Sequence, residues 1–211
     1  QLMQAALDEH GFYERTAAIT HAAPVLLIPN VLDAEICLML TETWERGETQ
    51  ATGVEQSADG GREERLSEEL KRRRDFIVTD EELIKVLSSN VGRRVIPELR
   101  KAFAYEATRF EGFKIVCYEG EAAGFFHAHR DNLSPSTTHR RFAMSLNLNE
   151  DYDGGQLRFP EYGEDLYKPD LGAALLFSCS HLHEVLPVTT GRRFALLSFL
   201  FGDEVERSRK D

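Results

Sequence analysis

The sequence has few of the features that cross-link a chain or anchor it in a membrane. Its three cysteines, Cys37, Cys117 and Cys179, lie far apart and form no CxxC pair. This pattern argues against a disulfide framework and against a cysteine zinc site, and it fits a reducing compartment. No apolar run approaches the length of a membrane span. We therefore expect a cytoplasmic protein that does not enter a membrane.

The chain also lacks an excess of positive charge. With 25 Lys+Arg against 36 Asp+Glu, the net charge is −11. Such a chain is a poor candidate for sequence-independent nucleic-acid binding, because that binding depends on neutralising phosphates. The basic run 71–74 is a local exception. For this run we favour a solvated loop edge over a contact to an acidic substrate.

A targeting signal is not visible either. Residues 1–16 contain neither a basic region nor the apolar stretch that follows it in a signal peptide, so we expect no signal peptide. The chain opens on Gln1 rather than on methionine, which leaves an upstream domain open. Hydrophobic residues make up 42% of the chain and charged residues 29%, as in ordinary globular proteins. We expect residues 1–211 to form one domain.

The first half of the chain, residues 1–111, is predicted to be mostly helical support. Apolar residues recur there at helical spacing in three segments. The first helix would be capped by Asp33, the second would start near Asp80, and the third would end near Phe103. Residues 47–72 are polar and show no periodicity. We predict a long mobile loop over this stretch.

The second half, residues 112–202, is predicted to be the β-rich catalytic core. Short runs of β-branched and aromatic residues alternate there with Gly, Asn, Asp and Pro. Many short antiparallel strands are typical of a jelly roll or a barrel-like β-sandwich. In 142–149 apolar residues alternate with small polar ones, which predicts the wall of a wet cavity. The fold class is therefore α+β with a mainly β core.

Two histidines and one aspartate in this half can share a metal ion. His129 and Asp131 form an HxD sequence on a predicted strand, where residues two apart face the same side. His183 would come from another strand. Two imidazoles and one carboxylate can hold Fe(II) on one face of an octahedron and leave positions open for a 2-oxo acid and O₂. A fourth protein ligand would close the site.

An arginine and a tyrosine accompany these three residues. Arg193 follows His183 by ten residues and opens an apolar strand. A buried arginine there is costly unless it pairs with an anion, and a dicarboxylate would provide that partner. Tyr118 comes before the HxD sequence, at the end of a predicted strand, and can offer its hydroxyl to a ligand carboxylate.

Residues 112–202 resemble the iron(II)- and 2-oxoglutarate-dependent dioxygenases of the prolyl 4-hydroxylase-like branch. The segments that carry the resemblance are YEGEAAGFFHAHRD, NLNEDYDGGQLRFPEYG and ALLFSCSHLHEVLPVTTGRR. That branch shows a tyrosine before HxD, a strand pair with a GG step, and a histidine followed ten residues later by Lys or Arg. The resemblance implies a double-stranded β-helix with His129, Asp131 and His183 as iron ligands.

The resemblance also implies a reaction and its cofactors. Arg193 would bind the distal carboxylate of 2-oxoglutarate with the help of Tyr118. Fe(2+), 2-oxoglutarate and O₂ would be required, with ascorbate as a stimulant. The expected reaction is hydroxylation of an unactivated C–H bond, with release of succinate and CO₂. The substrate would be a prolyl or other amino-acid side chain, in a small molecule or a peptide. The alternatives are a cupin-like metal dioxygenase without 2-oxoglutarate and a non-catalytic β-helix binding domain.

The nearby histidines leave a choice of ligands open. On a regular strand His127 would lie on the same face as His129, and His181 on the same face as His183. The family pattern favours His129 over His127. His183 is favoured over His181 because Arg193 lies at the expected offset from it.

For several other polar residues we expect a local role. We expect Arg192 to face solvent, and the run 139–141 to form a solvated strand edge. For Asn132, Asn147 and Asn149, a role in a turn or in the cavity wall is as well supported by the sequence as a contact to substrate.

Overall fold

A computed structural model describes residues 22–51, 54–58, 61–65 and 70–203 of the protein. The helices are α1 (Ala34–Arg46), α2 (Glu81–Arg94) and α3 (Ile96–Phe103). The strands before the second half of the chain are β1 (Leu26–Ile28), β2 (Val54–Ala58), β3 (Gly61–Arg65), β4 (Lys71–Arg72), β5 (Arg74–Ile77) and β6 (Arg109–Phe110). Those that follow are β7 (Lys114–Glu119), β8 (Phe125–His129), β9 (Phe142–Asn147), β10 (Tyr152–Gly154), β11 (Leu157–Arg158), β12 (Leu166–Tyr167), β13 (Ala174–Ser178), β14 (His183–Val185) and β15 (Val188–Phe201).

The helices start where side chains can cap them. The carboxylates of Asp33 and Asp80 each accept a hydrogen bond from the backbone N–H three residues further on, at the starts of α1 and α2. Pro97 lies in the first turn of α3, where its missing N–H has no cost. The three predicted helices are therefore confirmed. In the part of the chain that the structure describes, no helix is long and apolar enough to cross a membrane.

Two antiparallel sheets form the body of the protein. The major sheet has eight strands in the order β1-β13-β9-β15-β7-β5, with β10 and β6 also paired to β15. The minor sheet has five strands in the order β12-β11-β14-β8-β4. This is the double-stranded β-helix that the sequence resemblance implied, with helices against one outer face.

Apolar side chains fill two layers. In one layer, α1, α2 and α3 pack on the outer face of the major sheet, and Trp44 of α1 meets Phe194 of β15 edge to face, with ring centroids 5.2 Å apart. The other layer lies between the two sheets and includes Val116 and Phe177 of the major sheet and Val185 of the minor sheet. The major sheet is therefore buried on both faces, and the space between the sheets is available for a site.

The prediction of a loop over 47–72 is wrong for much of its length. β2 and β3 pair as a hairpin within it, and β4 at its end joins the minor sheet. The pattern of apolar residues missed the hairpin because its sequence, VEQSA and GREER, is polar. The dipeptide Asp59-Gly60 between the two runs is typical of hairpin connections and was the available signal.

The first half of the chain also contributes strands to both sheets. β4 pairs with β8 of the minor sheet, and β5 pairs with β7 of the major sheet. One residue, Arg73, separates β4 from β5, so the chain crosses from one sheet to the other at this position. Residues 1–111 therefore supply part of the β structure as well as the helical support. A single domain over 1–211 stays a prediction.

Candidate active site

The three predicted metal ligands meet at the edge of the space between the sheets. His129 ends β8 and lies opposite His183, which begins β14, in the antiparallel pairing of these strands. Asp131 follows His129 by two residues. One ligand atom from each of the three side chains lies within 4.8 Å of the others. Asp131 faces both rings, with its carboxylate oxygens 3.5 Å from His129 Nε2 and 3.4 Å from His183 Nε2.

A β-bulge decides which histidine of β8 faces the pocket. His183 lies opposite His129, and two residues later on β14 Val185 lies opposite Phe126, three residues back on β8. Such an extra residue in one strand re-aims the side chains around it. Phe126 and His129 therefore both line the pocket, whereas His127 is exposed and is not among the lining residues. The expectation that His127 shares the face of His129 is wrong, because it assumed unbroken alternation.

Both ring orientations are held by backbone carbonyls. His129 Nδ1 lies 2.7 Å from the carbonyl of His127, and His183 Nδ1 lies 3.0 Å from the carbonyl of His181. A carbonyl only accepts, so each Nδ1 carries the proton and donates it. The lone pair of each neutral ring then lies on Nε2, which points toward Asp131. Such outer hydrogen bonds fix the tautomer of metal-binding histidines.

The charges of the site suit a cation. Burial lowers the pKa of His183 to about 4, although the charge of Asp131 opposes this, so the ring is neutral and able to bind metal at pH 7. Burial would raise the pKa of Asp131, but the charge of His183, the contacts with His129 and the charge of Arg140 together lower it to about 2. The carboxylate is therefore ionised. Two imidazoles and one carboxylate are a donor set that fits Fe(II).

Arg193 lies on the opposite wall of the same pocket. It is only 2% exposed, on β15 beside Tyr118 of β7. Its Nη2 donates to Ser145 Oγ at 3.3 Å, and its guanidinium lies over the Tyr118 ring, 5.4 Å from the centroid. Among the described residues no carboxylate pairs with it. A buried guanidinium without a carboxylate calls for an anion from outside the chain.

A glycine makes room for this arginine. A Cβ on Gly155 would come within 2.9 Å of Arg193 Cδ and within 2.9 Å of Val188 Cγ2. Gly155 also has φ +68, in the left-handed region that side chains rarely adopt. Gly155, the second glycine of the pair at the end of β10, therefore leaves the space that the Arg193 side chain occupies.

Arg73, which the sequence led us to expect on a solvated loop edge, is a further residue of the site. At the crossing from β4 to β5, its side chain is 10% exposed and lines the pocket. It forms a two-pronged ion pair with buried Asp75, with N–O distances of 2.8 and 3.1 Å, and it donates to the Tyr118 hydroxyl at 3.0 Å. Arg73 therefore holds the hydroxyl of Tyr118, the residue whose ring also contacts Arg193.

The expectation of a solvated edge is wrong for half of the run 71–74. Lys71 is buried over the ring of Phe126, 5.5 Å from its centroid, and Arg73 lies in the pocket. Arg72 and Arg74 are exposed. The run alternates because it is strand, which puts every second residue on the inner side. This alternation was not visible in the sequence, because all four residues are basic.

The run 139–141 also lies closer to the site than expected. The Arg140 side chain is 18% exposed and pairs with Glu111, and its Nη1 donates to the Asp131 carbonyl at 3.3 Å. Its guanidinium covers the ring of Phe199, which lines the pocket, at 3.8 Å. Arg140 therefore holds the backbone of Asp131 in place through this hydrogen bond. The interpretation of this residue as part of a solvated edge is wrong.

Other residues that the sequence singled out have local roles. Arg192 is exposed, as expected, and pairs with Glu45. Asn147 donates to the backbone carbonyl of Asn149 in the turn after β9, and Asn149 ties that turn to β15 by donating to the carbonyl of Arg192. His181 is not among the pocket-lining residues. The cavity-wall prediction for β9 is confirmed, because Ala143 and Ser145 line the pocket.

Fold and site together define a class: a double-stranded β-helix whose pocket holds a His-Asp-His triad opposite a buried arginine. A family model described as "2OG-Fe(II) oxygenase superfamily" matches residues 113–201. Over that range the chain is similar to this superfamily.

Curated proteins are also similar to part of this chain. A "PKHD-type hydroxylase" from Synechococcus sp. (strain JA-2-3B'a(2-13)) is 38% identical over 93 residues, which are 41% of this chain and 41% of that protein. The alignment thus spans about two fifths of this curated relative.

Solved structures match over nearly the whole chain. A Trichoplax adhaerens prolyl hydroxylase, in complex with a hypoxia inducible factor peptide fragment, has a TM-score of 0.68 at 22% identity and covers 100% of this chain and 97% of its own. A Pseudomonas putida prolyl-4-hydroxylase has a TM-score of 0.61 at 18% identity, with 94% and 98% covered. At these identities the likeness shows the fold alone.

Proposed function

We propose that this protein is an Fe(II)- and 2-oxoglutarate-dependent hydroxylase that oxidises an unactivated C–H bond. The products besides the hydroxylated substrate are succinate and CO₂. One observation carries the proposal. The pocket that contains His129, Asp131 and His183 also contains a buried arginine, Arg193, that has no carboxylate partner among the described residues. A metal centre that acts without an anionic co-substrate would have no use for the buried guanidinium of Arg193.

His129, Asp131 and His183 would hold the metal. Bound Fe(II) with O₂ and a 2-oxo acid supplies the oxidising chemistry, while the protein supplies position and exclusion of water. The three side chains come from one edge of the minor sheet and leave the side toward the major sheet open. Apolar side chains from both sheets line the space in front of the triad, Leu157 and Val185 from the minor sheet and Phe177 from the major sheet, and they keep water away from the reacting centre.

Arg193 would bind the distal carboxylate of 2-oxoglutarate. The guanidinium presents planar N–H donors that match a carboxylate in two-pronged geometry. Ser145 fixes its position from β9 and the Tyr118 ring from β7. The Tyr118 oxygen accepts a hydrogen bond from Arg73, which leaves its own proton free for an anion. Tyr118 would therefore assist as a donor.

The substrate would be an amino-acid side chain, in a small molecule or a peptide. Relatives support this class: the Trichoplax adhaerens structure is that of a prolyl hydroxylase with a bound peptide fragment, and a Mus musculus relative is a "Procollagen-lysine,2-oxoglutarate 5-dioxygenase 1". The segment 130–141 would border the entrance, since Arg140 covers Phe199 there. The three buried, free cysteines support a reducing compartment, and we propose the cytoplasm.

The test is release of succinate and CO₂ from labelled 2-oxoglutarate under Fe(II), O₂ and ascorbate, with and without candidate amino acids and peptides. We expect slow release without substrate and faster release with the right one. Arg193→Gln should raise the KM for 2-oxoglutarate at least tenfold, on the order of one lost charge-assisted contact. Metal-dependent oxidation of substrate without 2-oxoglutarate would favour the cupin-like alternative instead.

A further inference from the structure

The pocket contains a second cation that lacks an anionic partner among the described residues, Lys114. It begins β7 and is one of the lining residues. In the part of the chain that the structure describes, its ammonium has neither an ion pair nor a hydrogen bond. The other two cations near the pocket differ in this respect, since Arg73 pairs with Asp75 and Arg140 pairs with Glu111.

Lys114 lies well away from the buried arginine. On β7 it pairs with Leu197 of β15, whereas Tyr118 pairs with Arg193. Tyr118 lies four positions after Lys114 on β7, which corresponds to about 13 Å between their Cα atoms. An even number of residues also places both on the face that looks toward the minor sheet. The two unpaired cations therefore mark different ends of one cavity.

The Lys114 end is the open end. Arg193 and Tyr118 are each 2% exposed, so their end is closed. Lys114, Leu197 and Phe199 are only partly buried. A molecule that enters after the co-substrate is in place would therefore pass Lys114 on its way to the metal triad.

The co-substrate cannot satisfy this lysine. 2-Oxoglutarate has two carboxylates. In the proposed function one would bind Arg193, and the other would lie at the metal that His129, Asp131 and His183 would hold. No anionic group remains for a cation at the opposite end of the pocket. An unpaired ammonium in a partly buried, largely apolar setting therefore indicates an anion on the second substrate.

We propose that Lys114 binds a carboxylate of the substrate that is hydroxylated. This inference rests on the proposed function, because it takes Arg193 as the site of the co-substrate. It narrows the substrate class to molecules with a carboxylate near the reacting carbon. That carboxylate is either the free α-carboxylate of an amino acid or the acidic side chain of a peptide.

Calorimetry can test the inference without turnover. The full chain is loaded with Zn(II), which does not react with O₂, and saturated with 2-oxoglutarate. Free amino acids and their α-amides are then titrated separately into this protein, and their Kd values are compared. Blocked peptides that contain Glu are compared in the same way with the same peptides containing Gln. We expect at least one acid to bind about tenfold more tightly than its neutral match, on the order of one charge-assisted contact. The two pairs of ligands separate an α-carboxylate from a side-chain carboxylate.

Three variants complete the design. Lys114→Gln removes the positive charge and should bring the Kd values for the acid and its neutral match together. Lys114→Arg keeps the charge and should retain most of the preference for the acid. Lys85→Gln is the matched control, because Lys85 pairs with Glu82 on exposed α2, and it should keep the full ratio.

Three results would overturn the proposal. They are the absence of any acid preference in the wild-type protein, an unchanged ratio in Lys114→Gln, and a loss of 2-oxoglutarate affinity in Lys114→Gln as large as that in Arg193→Gln. The same samples with Fe(II), assayed for succinate, report separately on the proposed function. Succinate release with an unchanged ratio would leave the hydroxylase standing and reject Lys114 alone.

Discussion

The hydroxyl of Tyr118 accepts a hydrogen bond of 3.0 Å from Arg73, while the ring of the same tyrosine lies under the guanidinium of Arg193. One aromatic side chain thus contacts two arginines that differ in their partners. Arg73 is neutralised by Asp75, whereas Arg193 has no carboxylate partner among the described residues. The pair Arg73–Asp75 therefore acts as a rigid support for Tyr118, and Arg193 keeps its charge for a ligand.

The first prediction concerns that support. Asp75→Asn leaves the buried Arg73 charge without its partner, so we expect a loss of about 3 to 5 kcal/mol in the free energy of unfolding. The KM for 2-oxoglutarate should also rise, because Tyr118 is no longer held in place. Urea denaturation followed by circular dichroism measures the first effect, and succinate release measures the second.

The control for this variant is an exposed ion pair. Glu82→Gln breaks the contact with Lys85 on the surface of α2. Its effect on unfolding should be at most about 1 kcal/mol, since solvent screens such pairs. An Asp75→Asn protein as stable as this control would contradict a supporting role for the buried pair.

The second prediction distinguishes the two histidines of β8. His129→Ala removes a ligand, so we expect a loss of at least a hundredfold in succinate release and weaker binding of Mn(II), on the order of a deleted metal ligand. His127→Ala should change neither by more than about twofold, since surface substitutions have small effects. Electron paramagnetic resonance of free Mn(II) gives a readout that does not depend on turnover. Equal losses in the two variants would show that the bulge does not select the ligand.

The third prediction concerns the glycine beside Arg193. Gly155→Ala and Gly163→Ala both put a side chain at a positive φ, +68 and +127, so both should lose roughly 1 to 3 kcal/mol of stability. Only the first places a Cβ within 2.9 Å of Arg193, whereas nothing lies within 4 Å at Gly163.

We therefore expect the KM for 2-oxoglutarate to rise in Gly155→Ala and to stay unchanged in Gly163→Ala. Initial rates of succinate release against 2-oxoglutarate concentration give both values. A parallel rise in the two variants would mean that backbone strain, and not contact with Arg193, controls co-substrate binding.

The fourth prediction concerns pH. Burial raises the pKa of Cys37 to about 11 and that of Cys117 to about 12, because the interior disfavours a thiolate. The folded state keeps protons that the unfolded state releases near the ordinary thiol pKa of 9.0. The contribution to stability is therefore present below pH 9 and is lost as the pH rises from 9 toward 12.

Two measurements check this prediction. The Tm should fall above pH 9, and less steeply in Cys37→Ala than in the wild-type protein when each is referred to its own Tm at pH 8. A thiol reagent at pH 8 should label the native protein slowly and the urea-unfolded protein at all three cysteines, which are buried in the native state. Rapid labelling of the native protein would contradict the buried setting.

Local patterns were enough to predict much of the fold. Helix caps at Asp33 and Asp80 and the alternation in β9 depend on neighbours only a few residues away, and the structure confirms them. The polar hairpin of β2 and β3 was missed, because without apolar residues at a period of two its strands resemble a loop.

The sequence by itself determined the chemistry that is available: an HxD, a distant histidine, and an arginine ten residues after it, in a chain half of which reads as strands. Those are matters of residue type and spacing. Only the tertiary structure decided that Arg73 enters the pocket, that His127 leaves it, and that Lys114 has no partner among the described residues. The reason is that each depends on a contact or a register between segments far apart in the chain, which arises when the two sheets pack together.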